Sequence, residues 1–577
     1  MEHTASPTEK LDTLAHAAMA RMTGSLSPVS GLLAWQDWWA HLATSPGKRL
    51  ELAQLALTQA MALMHHLQER LLAPPGDARR LIEPPALDRR FRDPAWRNWP
   101  FHLWHQTFLL NQAWWDAATR DIAGVDPHHQ KVVAFWARQW LDMFSPGNQL
   151  ATNPIVLGQT LAEGGANLLR GAQHLAEDMA ALAAGTGPTI PEGFAVGKDL
   201  AITPGEVILR NRVMELIQYH PTTAAVHPEP VLLVPAWIMK YYILDLSPHN
   251  SLVKYLVEQG HTVFCISWKN PGEAERDLGM EDYLHDGFLA ALDAVNAVCP
   301  KARVHATGYC LGGTLLAIAA AAMARDGDDR LASATFFAAQ TDFSEPGELG
   351  LFIDESQVSL LEAQMAQTGY LRASQMAGAF QMLRSYDLLW SRMVNEYLRG
   401  ERTPLFDLMT WNADATRMPA KMHSQYLRRL LLDDDLSEGR YPVDGQPVSL
   451  GSLRLPIFMV GTTTDHVAPW RSTHKLHYLS PAEITFALTS GGHNAGIVNP
   501  PGPDSRRRYQ ILRREAGGAY LSPDHWLEAA PTHAGSWWPA WQQWLAERSG
   551  KQVKPPRMGT ATYRPIDKAP GRYVMER

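Results

Sequence analysis

The six residues Gly308-Tyr309-Cys310-Leu311-Gly312-Gly313 constrain this 577-residue chain more than any other stretch. A strand-like segment, Arg303–Thr307, precedes them, and an Ala-rich helical segment, Thr314–Arg325, follows. A strand, a tight turn and a helix, with small residues flanking a nucleophilic side chain, make the G-x-S-x-G elbow with Cys in the place of Ser. The reason is steric. The nucleophile sits on a strained turn, the glycines let strand and helix approach closely, and the helix N-terminus favours negative charge. Two specified glycines around any of the three cysteines (Cys265, Cys299, Cys310) would arise by chance in about 1–2% of chains. Cys265 and Cys299 have no such setting and are expected in the core or at a helix end.

The surroundings fit an elbow. Glu206–Tyr219 reads as a hairpin around Arg210-Asn211-Arg212. After it, strand-like Val231–Val234, Thr262–Ser267, Arg303–Thr307, Ala334–Ala338, Ile457–Gly461 and Ile484–Leu488 follow in turn. Helical Leu252–Gln259, Tyr283–Val298 and Thr314–Arg325 separate the earlier ones. Such alternation predicts a mostly parallel sheet covered on both faces. It fails between about Phe343 and Ser452, a long Leu-, Met- and Arg-rich interval expected to be a helical cap inserted over the site. The fold class predicted is therefore α/β: an α/β-hydrolase fold with an inserted helical cap and a mainly helical N-terminal domain.

That N-terminal part contains an uninterrupted amphipathic helix over Leu50–Leu72 and a further helical stretch from about Ile155 to Leu182. Between them lie Trp96, Trp99, Trp104, Trp114, Trp115, Trp136 and Trp140, which read either as core filling or as a surface for an apolar ligand, polymer or partner. Residues 185–205, dense in Gly and Pro, read as a linker. The expected division is 1–75 as a helical extension, 76–200 as the Trp-rich helical domain, and 201–577 as the catalytic domain with its cap at about 343–452.

A cysteine nucleophile needs a base and a group that orients the base. The chain order of this fold, nucleophile then acid then histidine, points to Asp465 in Thr462-Thr463-Thr464-Asp465-His466-Val467 and His493 in Ser490-Gly491-Gly492-His493-Asn494. Each follows a late strand. His466 adjoins the acid and is poorly placed to face it. Asp342 also follows a strand and is the rival acid. The oxyanion hole is expected from the backbone N–H of Leu311 and of Ile238, the latter from position alone.

The net charge of −7 argues against nucleic acid as the partner. No apolar run approaches the roughly 20 residues of a membrane span, and no signal peptide is visible, so a cytoplasmic location is expected. Three cysteines suit a reducing compartment.

Several long stretches resemble the polyhydroxyalkanoate synthases (poly-beta-hydroxybutyrate polymerases): GYCLGG at 308–313, the run from Val234 to Gly272, WNADATRMP at 411–419, TTTDHVAPW at 462–470, SGGHNAGIVNPPG at 490–502, GSWWPAW at 535–541 and APGRYV at 569–574. The resemblance runs from about residue 80 to the C-terminus, and residues 10–55 resemble a short extra segment of some members. The layout looks like class I. It implies polymerisation of (R)-3-hydroxyacyl-CoA, with 3-hydroxybutyryl-CoA the expected substrate, and release of CoA. By residue match, Cys310 is nucleophile, Asp465 acid and His493 base. No resident cofactor or metal is implied, CoA being part of the substrate and a product. The implied partners are the growing polyester and its granule surface, a second copy in a homodimer, and phasin-type granule proteins. The sequence departs from the family pattern at Ala338–Phe343, which is more polar, and at Asn494. A cysteine-type hydrolase yielding free acid, and a non-catalytic granule scaffold, remain open on the residues alone. Lys240 and Arg471 are basic candidates for the CoA phosphates, with a surface role as the simpler reading.

Overall fold

A computed structural model of the protein describes residues 6–72, 80–85, 88–184, 193–383, 389–402, 405–503 and 505–577. Residues 185–192 of the expected linker, and 384–388 and 403–404 of the expected cap, lie outside the described residues.

β1 (Gly205–Arg210) and β2 (Met214–Tyr219) form the antiparallel hairpin read from the sequence. β3 (Val231–Val234), β4 (Val263–Trp268), β5 (Val304–Tyr309), β6 (Leu331–Phe337), β7 (Ile457–Thr462) and β8 (Ile484–Thr489) overlap the six expected strand segments. These six pair in parallel, in the order β4-β3-β5-β6-β7-β8. Antiparallel strands extend both edges: β2 and β1 beside β4, and β9 (Arg508–Arg514) and β10 (Thr532–Ala534) beside β8. A short β11 (Asp567–Lys568) pairs with β1. The last three strands escape a hydrophobic reading: β10 and β11 are short edge strands, and β9, one place in from the edge, reads RYQILRR and is only half-buried.

Alternation along the strands explains the burial on both faces. In β3, Leu232 and Val234 enter one core while Val231 and Leu233 enter the other; in β7, Ile457 and Met459 oppose Phe458 and Val460 in the same way. The helix Leu311–Asp326 is buried almost throughout its first thirteen residues, which is why it is apolar all round. Each of Leu315, Leu316 and Ile318 contributes about 1.5–3 kcal/mol of hydrophobic stabilisation by that burial.

By compactness the chain divides into one unit of residues 1–25, 190–377 and 405–577, and another of 26–189 with 378–404. These limits differ from the divisions expected at 75 and 200. The helix Pro7–Met22 belongs with the sheet-bearing unit, where Ser25 Oγ donates to Gln364 Oε1 at 3.0 Å beside helix Glu355–Thr368. The inserted interval is mainly helical, as expected, with two small ribbons (Tyr370–Leu371 with Met418–Pro419, and Pro442–Val443 with Gln446–Pro447).

In the helical unit the stretch read as one helix from Ile155 to Leu182 is two, Pro154–Ala162 and Ala166–Ala183. Gly164 and Gly165, at φ +58° and +88°, turn the chain between them. The tryptophans divide as well. Trp96 is fully buried, its ring edge-on to Phe91 at 4.9 Å, whereas Trp99 and Trp140 are 65% and 62% exposed. No described helix is long and apolar enough to cross a membrane.

Candidate active site

Cys310 joins β5 to the helix Leu311–Asp326 as that helix's N-cap, with φ +52° and ψ −126°. A non-glycine residue held there costs about 1–3 kcal/mol and persists because its surroundings over-determine it. The Cys310 N–H donates to Phe337 O at 2.9 Å, and its carbonyl accepts from Gly313 N at 2.9 Å and Thr314 N at 3.2 Å. The glycines do the steric work read from the sequence. A Cβ on Gly308 would lie 2.3 Å from Gly313 Cα, and one on Gly312 would lie 2.0 Å from Val234 O. The turn therefore presses directly on the end of β3.

Cys310 is half-buried with a free thiol. Cys265 and Cys299 are buried, as expected of structural residues; burial pushes the Cys299 thiol up to about 12 and also raises the Cys265 thiol well above its ordinary value.

His493, on the turn after β8, donates from Nδ1 to Asp465 Oδ2 at 2.8 Å. Its other ring nitrogen, Nε2, is buried and finds no hydrogen-bond partner at normal distance among the described residues. Burial alone would disfavour the imidazolium, but the Asp465 carboxylate and the Cys310 sulfur outweigh it and raise the His493 pKa well above its ordinary value. Asp465, after β7, shows the converse: burial would raise it, while His493 and two backbone N–H groups hold it below the usual carboxylate range. Those donors are Val467 N at 2.9 Å and Ala468 N at 2.8 Å on Oδ1, and Thr462 Oγ1 donates to Oδ2 at 3.1 Å. Both oxygens are engaged, Oδ1 by the two backbone amides and Oδ2 by His493 and Thr462.

The rival Asp342 is committed elsewhere. It accepts from Ser344 N, Lys475 Nζ and Tyr478 Oη at 3.0, 3.0 and 2.9 Å, and none of these groups belongs to the His493 loop. Of the expected triad positions, the structure brings together Cys310, Asp465 and His493.

Leu311 is the first helical residue beyond the nucleophile, so its N–H is one that the helix leaves without an internal acceptor. Ile238 lies on the buried segment after β3. Lys240 is not a surface residue: it is buried, and its Nζ donates to Tyr573 O at 3.2 Å and Glu576 O at 2.6 Å near the C-terminus. Arg471 pairs with Asp524 at 2.5 Å and covers the Trp470 ring at 4.9 Å.

Several neighbours of the triad lie in the stretches quoted above without a role being read for them there. The Tyr309 ring lies 5.6 Å from that of His493, and its hydroxyl donates to Asn494 Oδ1 at 2.6 Å. Asn494 Nδ2 in turn donates to Asn412 Oδ1 of the cap interval at 3.1 Å. The departure at Asn494 is thus the middle of a polar chain. The Trp-rich GSWWPAW braces the histidine loop: Trp537 Nε1 donates to Gly496 O at 3.0 Å and Trp538 Nε1 to Ile497 O at 2.9 Å. From the cap, Tyr426 is buried close enough that, after burial itself, the Cys310 sulfur raises its phenol. Among the described residues, no three His, Cys, Asp or Glu side chains gather as metal ligands.

Residues 87–256 match the model described as the poly-beta-hydroxybutyrate polymerase N-terminus, residues 6–48 a second poly-beta-hydroxybutyrate polymerase N-terminal model, and residues 229–500 the alpha/beta hydrolase fold. The chain is 43% identical to a poly(3-hydroxyalkanoate) polymerase of Methylorubrum extorquens, over 86% of this chain and 82% of that one. It is 40% identical to a poly(3-hydroxyalkanoate) polymerase subunit of Rhizobium meliloti (99% and 91% covered) and 37% to one of Cupriavidus necator (85% and 83%).

Proposed function

The chain belongs to the poly(3-hydroxyalkanoate) polymerase family, acyltransferases that join hydroxyacyl units into polyester, and from this premise we propose that Cys310 is the residue on which the polymer grows. One observation carries the proposal. His493 is held by Asp465 through Nδ1 at 2.8 Å, which leaves Nε2 as the basic nitrogen beside the elbow cysteine.

In this reading, His493 Nε2 takes the thiol proton as Cys310 Sγ attacks the thioester carbonyl of a (R)-3-hydroxyacyl-CoA. The oxyanion is met by the N–H groups of Leu311 and Ile238. The C–S bond to CoA breaks, His493 returns the proton to the CoA sulfur, and an acyl-Cys310 thioester remains. The exchange of thioester for thioester is nearly isoenergetic, so the acyl group stays activated where a serine ester would be more stable. The hydroxyl of a second 3-hydroxyacyl-CoA then attacks that thioester and gives its proton to His493; the C–S bond to Cys310 breaks, Sγ takes the proton back from His493, and the ester-linked dimer, still a CoA thioester, is passed to Cys310 again. His493 is the base for this step too, because both Asp465 oxygens are already engaged. General-base help of this kind is worth about 10²–10⁴-fold.

The chemistry calls for no resident cofactor. 3-Hydroxybutyryl-CoA as substrate, a homodimer, phasin-type proteins as partners and residence at a cytoplasmic polyester granule belong to the same proposal. Feeding purified protein 3-hydroxybutyryl-CoA tests it: insoluble polyester with stoichiometric CoA is expected, whereas stoichiometric free acid would make the protein a hydrolase.

A further inference from the structure

Trp237 and Ile238 share one peptide plane, which carries the carbonyl of the first and the N–H of the second. Because a trans peptide is planar, fixing that carbonyl fixes the direction of the N–H on its opposite side. The Trp237 carbonyl accepts from Thr416 Oγ1 at 2.6 Å, and Thr416 is 4% exposed. The next carbonyl, of Ile238, accepts from Thr416 N at 3.2 Å. Met239 and Ala415 make an isolated antiparallel bridge, and Lys240 O accepts from Trp411 Nε1 at 2.7 Å. The part of this segment from Trp237 to Lys240 is thus held by the cap interval 411–416.

We propose that Thr416 is the positioning residue of the oxyanion hole, its hydroxyl setting the peptide plane whose N–H meets the developing oxyanion. The inference rests on the reading of Ile238 as the second donor. It makes the catalytic donor answer to the cap: displacing residues 415–416 turns the Ile238 N–H away from the carbonyl oxygen.

The test compares Thr416→Val, which keeps the shape and loses the hydroxyl, with Thr416→Ser, which keeps the hydroxyl. Removing an oxyanion donor outright costs about 10²–10³-fold in kcat, so misaiming one is expected to lower kcat for CoA release by about 10–10²-fold. KM should change by less than about twofold, and Thr416→Ser should recover most of the rate. Alkylation of Cys310 by iodoacetamide forms no oxyanion, so its rate should match the wild type in both variants. Wild-type kcat in Thr416→Val, or alkylation slowed in step with turnover, would overturn the proposal. An amide-to-ester replacement at residue 238, which deletes only the N–H, separates the two readings. If it leaves turnover intact, the donor assignment fails and the proposal with it. If it abolishes turnover while Thr416→Val does not, the donor stands and the role of Thr416 falls.

Discussion

Asp465 and His493 stand 28 residues apart in sequence and meet at 2.8 Å, Oδ2 to Nδ1, each from the turn that follows one of two adjacent parallel strands. That register is what lets two loops form one catalytic unit. The in-phase pairing of Ile457–Thr462 with Ile484–Thr489 ends both strands level with each other. Burial then secures the pair, with Asp465 accepting from His493, from Thr462 and from two backbone amides.

The first expectation concerns pH. The Asp465 carboxylate raises the His493 pKa, so the neutral base needed to take the Cys310 proton forms only above the ordinary histidine range. Asp465→Asn removes that charge and is expected to move the acid limb of the pH–rate profile for CoA release to lower pH. The plateau should also drop by about 10²–10⁴-fold. A limb that stays put or moves upward would contradict the pairing. The same pair stabilises the fold in full between about pH 4 and 6.5. The Asp465 part, whose folded pKa is depressed, is lost as pH falls through that value; the His493 part, whose folded pKa is raised, is lost as pH rises through it.

The three cysteines should separate by reactivity. Cys310 is half-buried beside a base, whereas burial keeps Cys265 and Cys299 protonated at neutral pH. Brief iodoacetamide treatment followed by peptide mass mapping is expected to find the label on Cys310 alone. Early label on Cys299 or Cys265 would show that the fold does not shield these two thiols.

Two glycines offer opposite outcomes. Gly312→Ala would put a Cβ 2.0 Å from Val234 O, forcing the elbow helix off β3, and is expected to cost about 3 kcal/mol or more and abolish turnover. Gly158, inside the helix Pro154–Ala162, has nothing within 4 Å of such a Cβ, so Gly158→Ala should stabilise by about 0.5–1 kcal/mol. Urea unfolding midpoints of the two variants check both directions.

Trp537→Phe leaves the Gly496 carbonyl of the histidine loop without its indole donor and is expected to cost about 1–3 kcal/mol. Trp544 is also buried, but its indole nitrogen finds no acceptor among the described residues, so Trp544→Phe should cost less. Equal shifts in urea midpoint would show that the Trp537 indole does not brace the loop.

The triad and the strands that carry it were legible because their rules are local. Continuous apolar runs mark strands buried on both faces, and paired glycines mark the elbow. What was not legible depends on partners distant in sequence. Nothing near Thr416 announces a bond to Trp237, and nothing in Tyr309-Cys310 announces Asn494. Lys240 looked like a surface cation because the carbonyls that hold it, of Tyr573 and Glu576, lie more than 330 residues away. Arg508–Arg514 hides behind its own charges, and Ile155–Leu182 reads as one helical stretch because helix-forming residues continue on both sides of Gly164 and Gly165.

The central claim is a covalent thioester at Cys310. Rapid quenching of turnover with 3-hydroxybutyryl-CoA, followed by digestion, should yield a peptide containing Cys310 with added hydroxybutyryl mass, and Cys310→Ala should release no CoA. Substantial CoA release by Cys310→Ala, or acyl groups found on another residue, would contradict it.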